Sequence, residues 1–201
     1  MVGTIIPIVY GDQKNGSRVL GLHIAAYILG AMILGTVLGS FGHLITGIRD
    51  IQFYAVGVIG VTSLFCSTRE LELIAFPLPE AYWQVPSKWR TLPLRAMATI
   101  YGLVLGVGVA NRVRVSTFHV AALWAFLSGN PFLAACVLSA FGFGRALPII
   151  WMTRRSQTAS ECFSITESAG SIFPIVRALS GLLLAFAGAC LLSAWLTRYG
   201  A

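Results

Sequence analysis

Long uncharged runs alternate with short polar segments along this chain. Positions 19–48 and 178–197 contain no Lys, Arg, Asp or Glu. A helix needs roughly 20 apolar residues to cross the hydrocarbon core of a bilayer, and both runs reach that length. Within the first run, Gly35 and Gly39 have the small-xxx-small spacing that permits close contact between helices. The pattern predicts an all-α membrane protein.

The composition indicates that much of the surface meets lipid rather than water. Of the 201 residues, 57% are hydrophobic and 10% are charged, whereas a soluble domain carries about 25% charged residues. The net charge of +7 would suggest a nucleic-acid partner for a soluble protein. Here the basic residues stand mostly between apolar runs, where they meet anionic lipid head groups. We therefore expect the lipid bilayer as the partner, no nucleic acid, and insertion through the chain's own helices, since no cleavable signal peptide precedes the first run.

The stretch 94–129 is too long for one straight helix. Its residues would rise about 54 Å, against a hydrocarbon core of about 30 Å. Asn111, Arg112 and Arg114 interrupt its middle. The pattern therefore predicts a bent or broken segment. Residues 1–10 are apolar but too short to cross a bilayer, so they would form a half-span, a tilted helix end or a re-entrant segment.

Six spans follow from the pattern if residues 1–10 are counted as a partial first span. The stretches 51–67 and 131–153 are apolar enough to count among them. The segment 68–93 combines charges, prolines, Trp and Tyr, which is typical of a membrane interface. The segment 154–173 is predicted to be a polar loop. The whole chain, 1–201, is expected to form one transmembrane domain.

Basic residues are distributed unequally between the two sets of loops that six spans create. One set holds eight and the other two, namely Lys14, Arg18, Arg69, Lys88, Arg90, Arg95, Arg154 and Arg155 against Arg49 and Arg198. Cytoplasmic loops carry the excess of Lys and Arg. This asymmetry predicts that the interfacial loop 68–93 is cytoplasmic and that both termini lie outside.

The two halves of the chain, 1–67 and 94–201, have the pattern of inverted repeats, which many transporter-like folds share. Four pieces of the second half, YGLVLGVGV, AALWAFLSG, GFGRALPIIW and ALSGLLLAFAGACLL, follow one another at 101–192. Together they resemble the CcdA/DsbD-type transmembrane family, which carries reducing equivalents across the inner membrane for cytochrome c maturation and periplasmic disulfide reduction. The least generic piece is the short run from Gly144 to Pro148.

The resemblance implies a fold of six helices in two inverted halves, with kinked or broken first and fourth segments. The family's chemistry needs a cysteine in each kinked helix. This chain has Pro7 without a following cysteine in the first segment, and Asn111 to Val115 contain none in the fourth. Thiol–disulfide exchange requires a thiolate, so the activity does not carry over. The resemblance then implies an accessory or structural subunit of a membrane redox or maturation system, in a bacterial inner membrane and with other membrane subunits as partners.

Arginines inside apolar segments are the sharpest candidates for a site. An arginine at bilayer depth costs from about 2.5 to more than 10 kcal/mol unless it faces a cavity, a partner or the interface. Asn111, Arg112, Arg114 and Arg145 could accordingly form an anion-binding or partner-binding site. Alternatively, Arg112 and Arg114 lie at a helix end and reach water. No Asp or Glu occurs in any long span, so the sequence offers no buried ion-pair partner for Arg145 or Arg177.

Histidine and cysteine residues offer two weaker candidates. His23 and His119 could together ligate a haem, but a lone helical histidine is more often a packing residue, so we predict no cofactor. Cys66 and Cys162 fall on the same side of the predicted topology and could form a redox pair, or they could be independent thiols. The cysteine spacing matches no metal site and no disulfide framework.

Two further functions remain open beside the accessory subunit. The inverted repeats and the arginines would suit a small-solute or anion transporter, although a proton-driven transporter usually needs an intramembrane carboxylate. Cys66 and Cys162 would suit a transmembrane thiol-electron carrier with relocated cysteines. The sequence shows no phosphate-binding loop and no nucleophile–base motif, so it gives no evidence for an enzyme.

The predicted topology is tested at Lys88. In intact cells, an impermeant amine reagent should leave Lys88 unmodified, because its loop is expected to be cytoplasmic. The same reagent should modify Lys88 after the cells are permeabilised, and peptide mapping by mass spectrometry would read both results. Modification in intact cells would contradict the topology.

Overall fold

The computed structural model of this protein describes residues 16–46, 49–78, 86, 89, 91–108, 115–156 and 158–199. Within these ranges the chain forms α-helices joined by short connections. The helices are α1 Gly16–Thr46, α2 Arg49–Glu70, α3 Leu94–Gly106, α4 Ser116–Leu127, α5 Pro131–Arg155, α6 Ala159–Ala169 and α7 Phe173–Tyr199, with a 3₁₀ turn at Gly170–Ile172 between the last two. The predicted all-α class is confirmed.

Three stretches of the described chain are long and apolar enough to cross a membrane. They are Gly16–Ile45, Pro131–Arg155 and Ser160–Arg198, and the last joins α6, the 3₁₀ turn and α7. Large apolar side chains project outward from them, including Phe132, Leu183 and Phe186, each at least two-thirds exposed. Such surface is favourable in lipid and unfavourable in water. The membrane class is therefore supported, whereas six spans in two inverted repeats are not confirmed.

The predicted break in the stretch 94–129 is confirmed. Helix α3 ends at Gly106 and α4 begins at Ser116, so neither helix is longer than 13 residues. Gly108 has a φ of 78°, a conformation that glycine adopts without steric cost. Residues 1–10, the other predicted irregular segment, lie outside the described residues.

The polar loop predicted at 154–173 is wrong, because α6 occupies most of it. Thr158 and Glu161 form a reciprocal capping box. The Thr158 hydroxyl accepts from the Glu161 amide at 3.3 Å, and the Glu161 carboxylate accepts from the Thr158 amide at 3.4 Å. The pair satisfies two backbone donors that a helix start leaves without partners. The polar residues thus begin a helix instead of preventing one.

The chain divides into two compact units, each assembled from separate segments. The first unit comprises Met1–Leu34, Ala81–Arg112 and Ser139–Ile172. The second comprises Gly35–Glu80, Val113–Leu138 and Phe173–Ala201.

Helices α1 and α3 approach closely within the first unit. A Cβ added at Gly102 would collide with the carbonyl of His23, and one at Gly30 would collide with the carbonyl of Leu103. The His23 ring, which is almost fully buried, contacts the Ala98 carbonyl through Nδ1 at 3.0 Å. Backbones can come this close only where small residues face each other.

The second unit has an apolar core and its own glycine contact. Ile59, Cys66, Val120 and Leu184 are buried together at its centre. The contact predicted from the small-residue spacing is confirmed at Gly39, since an added Cβ would lie 2.7 Å from Pro131 Cα in α5. An added Cβ at Gly35 would likewise overlap the backbone of Ala134.

The glycine contact yields a matched pair of substitutions within α1. Gly35→Ala should lower the thermal unfolding midpoint in mild detergent, because the new methyl group overlaps the α5 backbone and overpacking costs about 1–3 kcal/mol. Gly21→Ala, which has no atom within 4 Å of the added Cβ, should leave the midpoint unchanged or raise it, since alanine favours a helix by about 1 kcal/mol over glycine. Equal effects of the two substitutions would show that the contact at Gly35 is not tight.

Candidate functional site

Helix α2 ends in a turn that places a charged residue where glycine is usual. The Leu73 amide donates to the Thr68 carbonyl at 2.8 Å, and the Glu72 amide donates to the Arg69 carbonyl at 3.1 Å. These two bonds define a Schellman motif, whose left-handed position is commonly glycine. Glu72 occupies it with a φ of 61°. For a residue with a Cβ this conformation costs about 1–2 kcal/mol.

The Glu70 carboxylate, just before this turn, is fully buried and accepts four hydrogen bonds. Oε1 accepts from the Ser116 amide at 2.7 Å, from the Ser116 hydroxyl at 2.6 Å and from Arg69 Nη1 at 3.1 Å. Oε2 accepts from Arg177 Nε at 3.2 Å. Its side chain has 0% relative exposure. A buried carboxylate is stable only when it is paired and hydrogen-bonded in this manner.

Glu70 also caps another helix. Ser116 is the first residue of α4, and the preceding residue, Val115, provides no side-chain cap. The carboxylate of Glu70 therefore accepts a hydrogen bond from the first amide of α4, although Glu70 is distant along the chain. A negative charge is favourable at a helix N-terminus, because the unpaired amide groups carry partial positive charge there.

Arg177 links the buried acid to an exposed one. It lies in the first turns of α7 and donates through Nε to Glu70, through Nη1 to Glu72 at 2.6 Å and through Nη2 to the Arg69 carbonyl at 2.8 Å. The Glu72 side chain is 71% exposed. A cation near a helix N-terminus is unfavourable for the helix dipole, and two carboxylates offset that effect. Arg69, Glu70, Glu72, Ser116 and Arg177 are called the Glu70 cluster below.

The cluster holds the pKa of Glu70 below its ordinary value. Burial by itself raises the pKa of this carboxyl, but the hydrogen bonds from Ser116 and the charge and hydrogen bond of Arg177 outweigh that effect. Because the pKa is lower in the folded state, the carboxylate adds stability above the ordinary Glu pKa of about 4.3. That stability is lost as the pH falls through the folded-state pKa.

A cavity of about 480 Å³ adjoins the cluster and is lined by Arg69, Glu72 and Arg177 together with residues 74–77. Arg69 is held in place at its wall. Its Nε donates to the Phe76 carbonyl at 3.0 Å, and its guanidinium lies 5.8 Å from the centre of the Phe76 ring. Phe76 in turn stacks on Phe65 of α2 at 4.5 Å between ring centres. The cavity thus has two positioned cations in its wall.

The sequence predicted no buried ion-pair partner for Arg177, and this prediction is wrong. Glu70 supplies that partner and belongs to the same unit. It lies just beyond the apolar run 51–67, so counting charges within spans could not detect it. A partial signal was available, because Glu70 follows the predicted span 51–67 by only three residues. A carboxylate near a helix C-terminus opposes the dipole, so a nearby cation is favourable.

The arginine site predicted from the sequence is only partly described by the structure. Asn111, Arg112 and Arg114 lie outside the described residues. Arg145 is half-buried in α5, one turn before Pro148 of the same helix. An anion-binding or partner-binding role for these four residues stays a prediction.

The cysteine and histidine candidates have clear positions. Cys66 lies in the core of the second unit, whereas Cys162 is buried in the first unit, and both are free thiols. His23 contacts the Ala98 carbonyl, and the ring of His119, which is half-buried, packs edge-on against Phe118. The redox pair and the cofactor prediction are not tested by these positions and stay predictions.

The cluster predicts different effects for its two glutamates. Glu70→Gln should destabilise the protein by about 3–5 kcal/mol, since it removes the charge from a buried pair while the groups that pair with it stay in place. Glu72→Gln should cost about 1 kcal/mol or less, since exposed ion pairs contribute little. Thermal unfolding in mild detergent measures both.

The pH dependence of the unfolding midpoint is the control for these two variants. The difference in unfolding midpoint between the wild type and Glu70→Gln should shrink as the pH falls from 7 through the folded-state pKa of Glu70. The Glu72→Gln variant should follow the wild type across the same range. A constant difference at every pH would contradict the assignment of the effect to the Glu70 charge.

Comparison with known proteins identifies several similar sequences that share the name MauF. The chain is 33% identical over 132 residues to the methylamine utilization protein MauF of Paracoccus versutus, covering 63% of this chain and 47% of that protein. It is 33% identical over 129 residues to MauF of Paracoccus denitrificans, covering 64% and 46%. With MauF of Methylorubrum extorquens it shares 29% identity over 163 residues, covering 74% and 57%. The chain spans about half the length of the curated relatives it matches.

These relatives overturn the assignment to the CcdA/DsbD-type family. The matched proteins carry the name MauF instead. The cause of the error is physical, since membrane helices of any family draw on the same small apolar residues, and runs of Gly, Ala and Leu resemble one another by composition. No family model matches the chain, and no solved structure matches it.

Proposed function

We propose that this chain is a membrane-embedded accessory protein of methylamine utilization, where it assists a redox or maturation system together with other membrane subunits. The observation that supports the proposal is the similarity to MauF proteins from several bacteria. The apolar helices, which present large side chains outward, are consistent with a place in the bilayer. As part of the same proposal, the protein has six spans in a bacterial inner membrane with both termini outside.

The Glu70 cluster is better suited to holding helices together than to catalysis. A general base needs a pKa near the working pH and a free lone pair directed at the substrate. Both oxygens of Glu70 accept hydrogen bonds, and its pKa is lowered. The same two properties make it a poor proton carrier for a transporter, because it retains its charge. This chemistry favours an accessory or structural role.

The proposal is tested by deleting the gene in frame in the organism that encodes the chain. The deletion strain should grow poorly or not at all with methylamine as the sole nitrogen or carbon source. It should grow normally on ammonium with an unrelated carbon source, which is the control. A plasmid copy of the wild-type gene should restore growth on methylamine. Growth of the deletion strain on methylamine at the wild-type rate would contradict the proposal.

A further inference from the structure

Glu72 stands at a position where a glycine would be more stable. Its φ of 61° is unfavourable for a residue with a Cβ. Strained residues persist where the surroundings hold them, and such residues are concentrated at binding and switch sites. The two backbone hydrogen bonds of the turn hold this conformation, and the Glu72 carboxylate accepts from Arg177 Nη1 at 2.6 Å. The turn therefore places the Glu72 carboxylate against Arg177, which lines the cavity.

The cavity beside Glu72 is large enough for an anion, and its two arginines exceed the charge of Glu70 by one when Glu72 is displaced. Its volume of about 480 Å³ exceeds what a phosphate group needs, and Arg69 and Arg177 both contribute to its wall. The side chains of these arginines are only 17% and 22% exposed. Charges that are partly shielded from water attract an anion more strongly than charges on an open surface. Phe76 holds Arg69 in position through its carbonyl and its ring.

Exposed apolar side chains lie near the charged cavity along the chain, just after α2 and in α7. Leu73 and Ile74, next to Glu72, are 72% and 50% exposed, and Ile175 of α7 is 60% exposed. Exposed apolar residues beside exposed charge are typical of the boundary between hydrocarbon and water. Arginine pockets at this boundary recognise anionic head groups.

We infer that this cavity binds the phosphate of an anionic phospholipid headgroup, which displaces Glu72 from Arg177. Arginine binds phosphate through two parallel N–H···O bonds, which a single exposed carboxylate oxygen does not match. The inference goes beyond the proposed accessory function and does not depend on it.

The two acids of the cluster differ in how easily they can be displaced. Glu70 is fully buried and accepts four hydrogen bonds, all of which would break if it left. Glu72 is largely exposed and returns to water when Arg177 takes another anion. Its departure leaves the two backbone hydrogen bonds of the turn in place. The lipid therefore replaces the outer acid and leaves the inner one in place.

The experiment measures thermal stabilisation of the detergent-solubilised full chain by added phosphatidylglycerol. Phosphatidylcholine, which is zwitterionic, and inorganic phosphate at the same phosphate concentration are run in parallel. We expect phosphatidylglycerol to raise the unfolding midpoint more than either of these. Glu72→Gln should lower its half-saturating concentration about twofold to fivefold, because an exposed competing ion pair is removed.

Three variants separate the inferred site from a general charge effect. Glu72→Gly removes the same carboxylate and accepts the positive φ, so it should bind at least as tightly as Glu72→Gln. Arg69→Gln should lose most of the selective stabilisation. Arg198→Gln, which removes an exposed charge in the last turn of α7, should respond like the wild type. The Glu72 variants decide the question even if Arg69→Gln fails to fold.

Each alternative result overturns the inference. Equal stabilisation by the two lipids would show a nonspecific effect of lipid. Equal stabilisation by inorganic phosphate would assign the cavity to a soluble anion. Unchanged affinity in both Glu72 variants would show that Glu72 is not displaced, and a loss of response in Arg198→Gln would indicate attraction by overall charge.

Discussion

The buried carboxylate of Glu70 is the interaction on which the second unit depends. A charge with no access to water is tolerated only where hydrogen bonds and opposite charge replace its hydration. Here the replacement comes from three helices, since α2 provides Arg69, α4 provides the amide and hydroxyl of Ser116, and α7 provides Arg177. Moving any one helix along its axis would break these bonds. The carboxylate therefore fixes the register of all three.

This constraint matters because burial of apolar surface does little to position helices in lipid. A leucine that faces another helix and one that faces a lipid tail have similar surroundings, so helices are positioned by close packing and by polar contacts. The second unit uses both. Gly35 and Gly39 bring α1 against α5, whereas the Glu70 cluster joins the ends of α2, α4 and α7. The small residues set the distance between helices, and the polar group sets their register.

The sequence predicted those features whose cause is local. The polar triplet at 111–114 indicated a break, and the spacing of Gly35 and Gly39 indicated a close contact. Helix α6 replaces the predicted polar loop. Its polar composition favours a loop, whereas its capping box, Thr158 and Glu161 three residues apart, favours a helix start. The pair between Glu70 and Arg177 could not be predicted in the same way. Its members are 107 residues apart, and only the packing of α2 against α7 brings them together.

The two glutamates of the cluster show how one short segment can be both fixed and adaptable. Glu70 and Glu72 both bind Arg177, but one is fully buried and the other is 71% exposed. Desolvation makes the inner pair expensive to open, because Glu70 would lose the partners that compensate its buried charge. Water and salt screen the outer pair, so its loss changes the energy little. A contact that a ligand displaces must be weak and exposed, as the pair between Glu72 and Arg177 is. Glu72 belongs to the outer pair, where an exchange of partners does not disturb the helices that Glu70 holds.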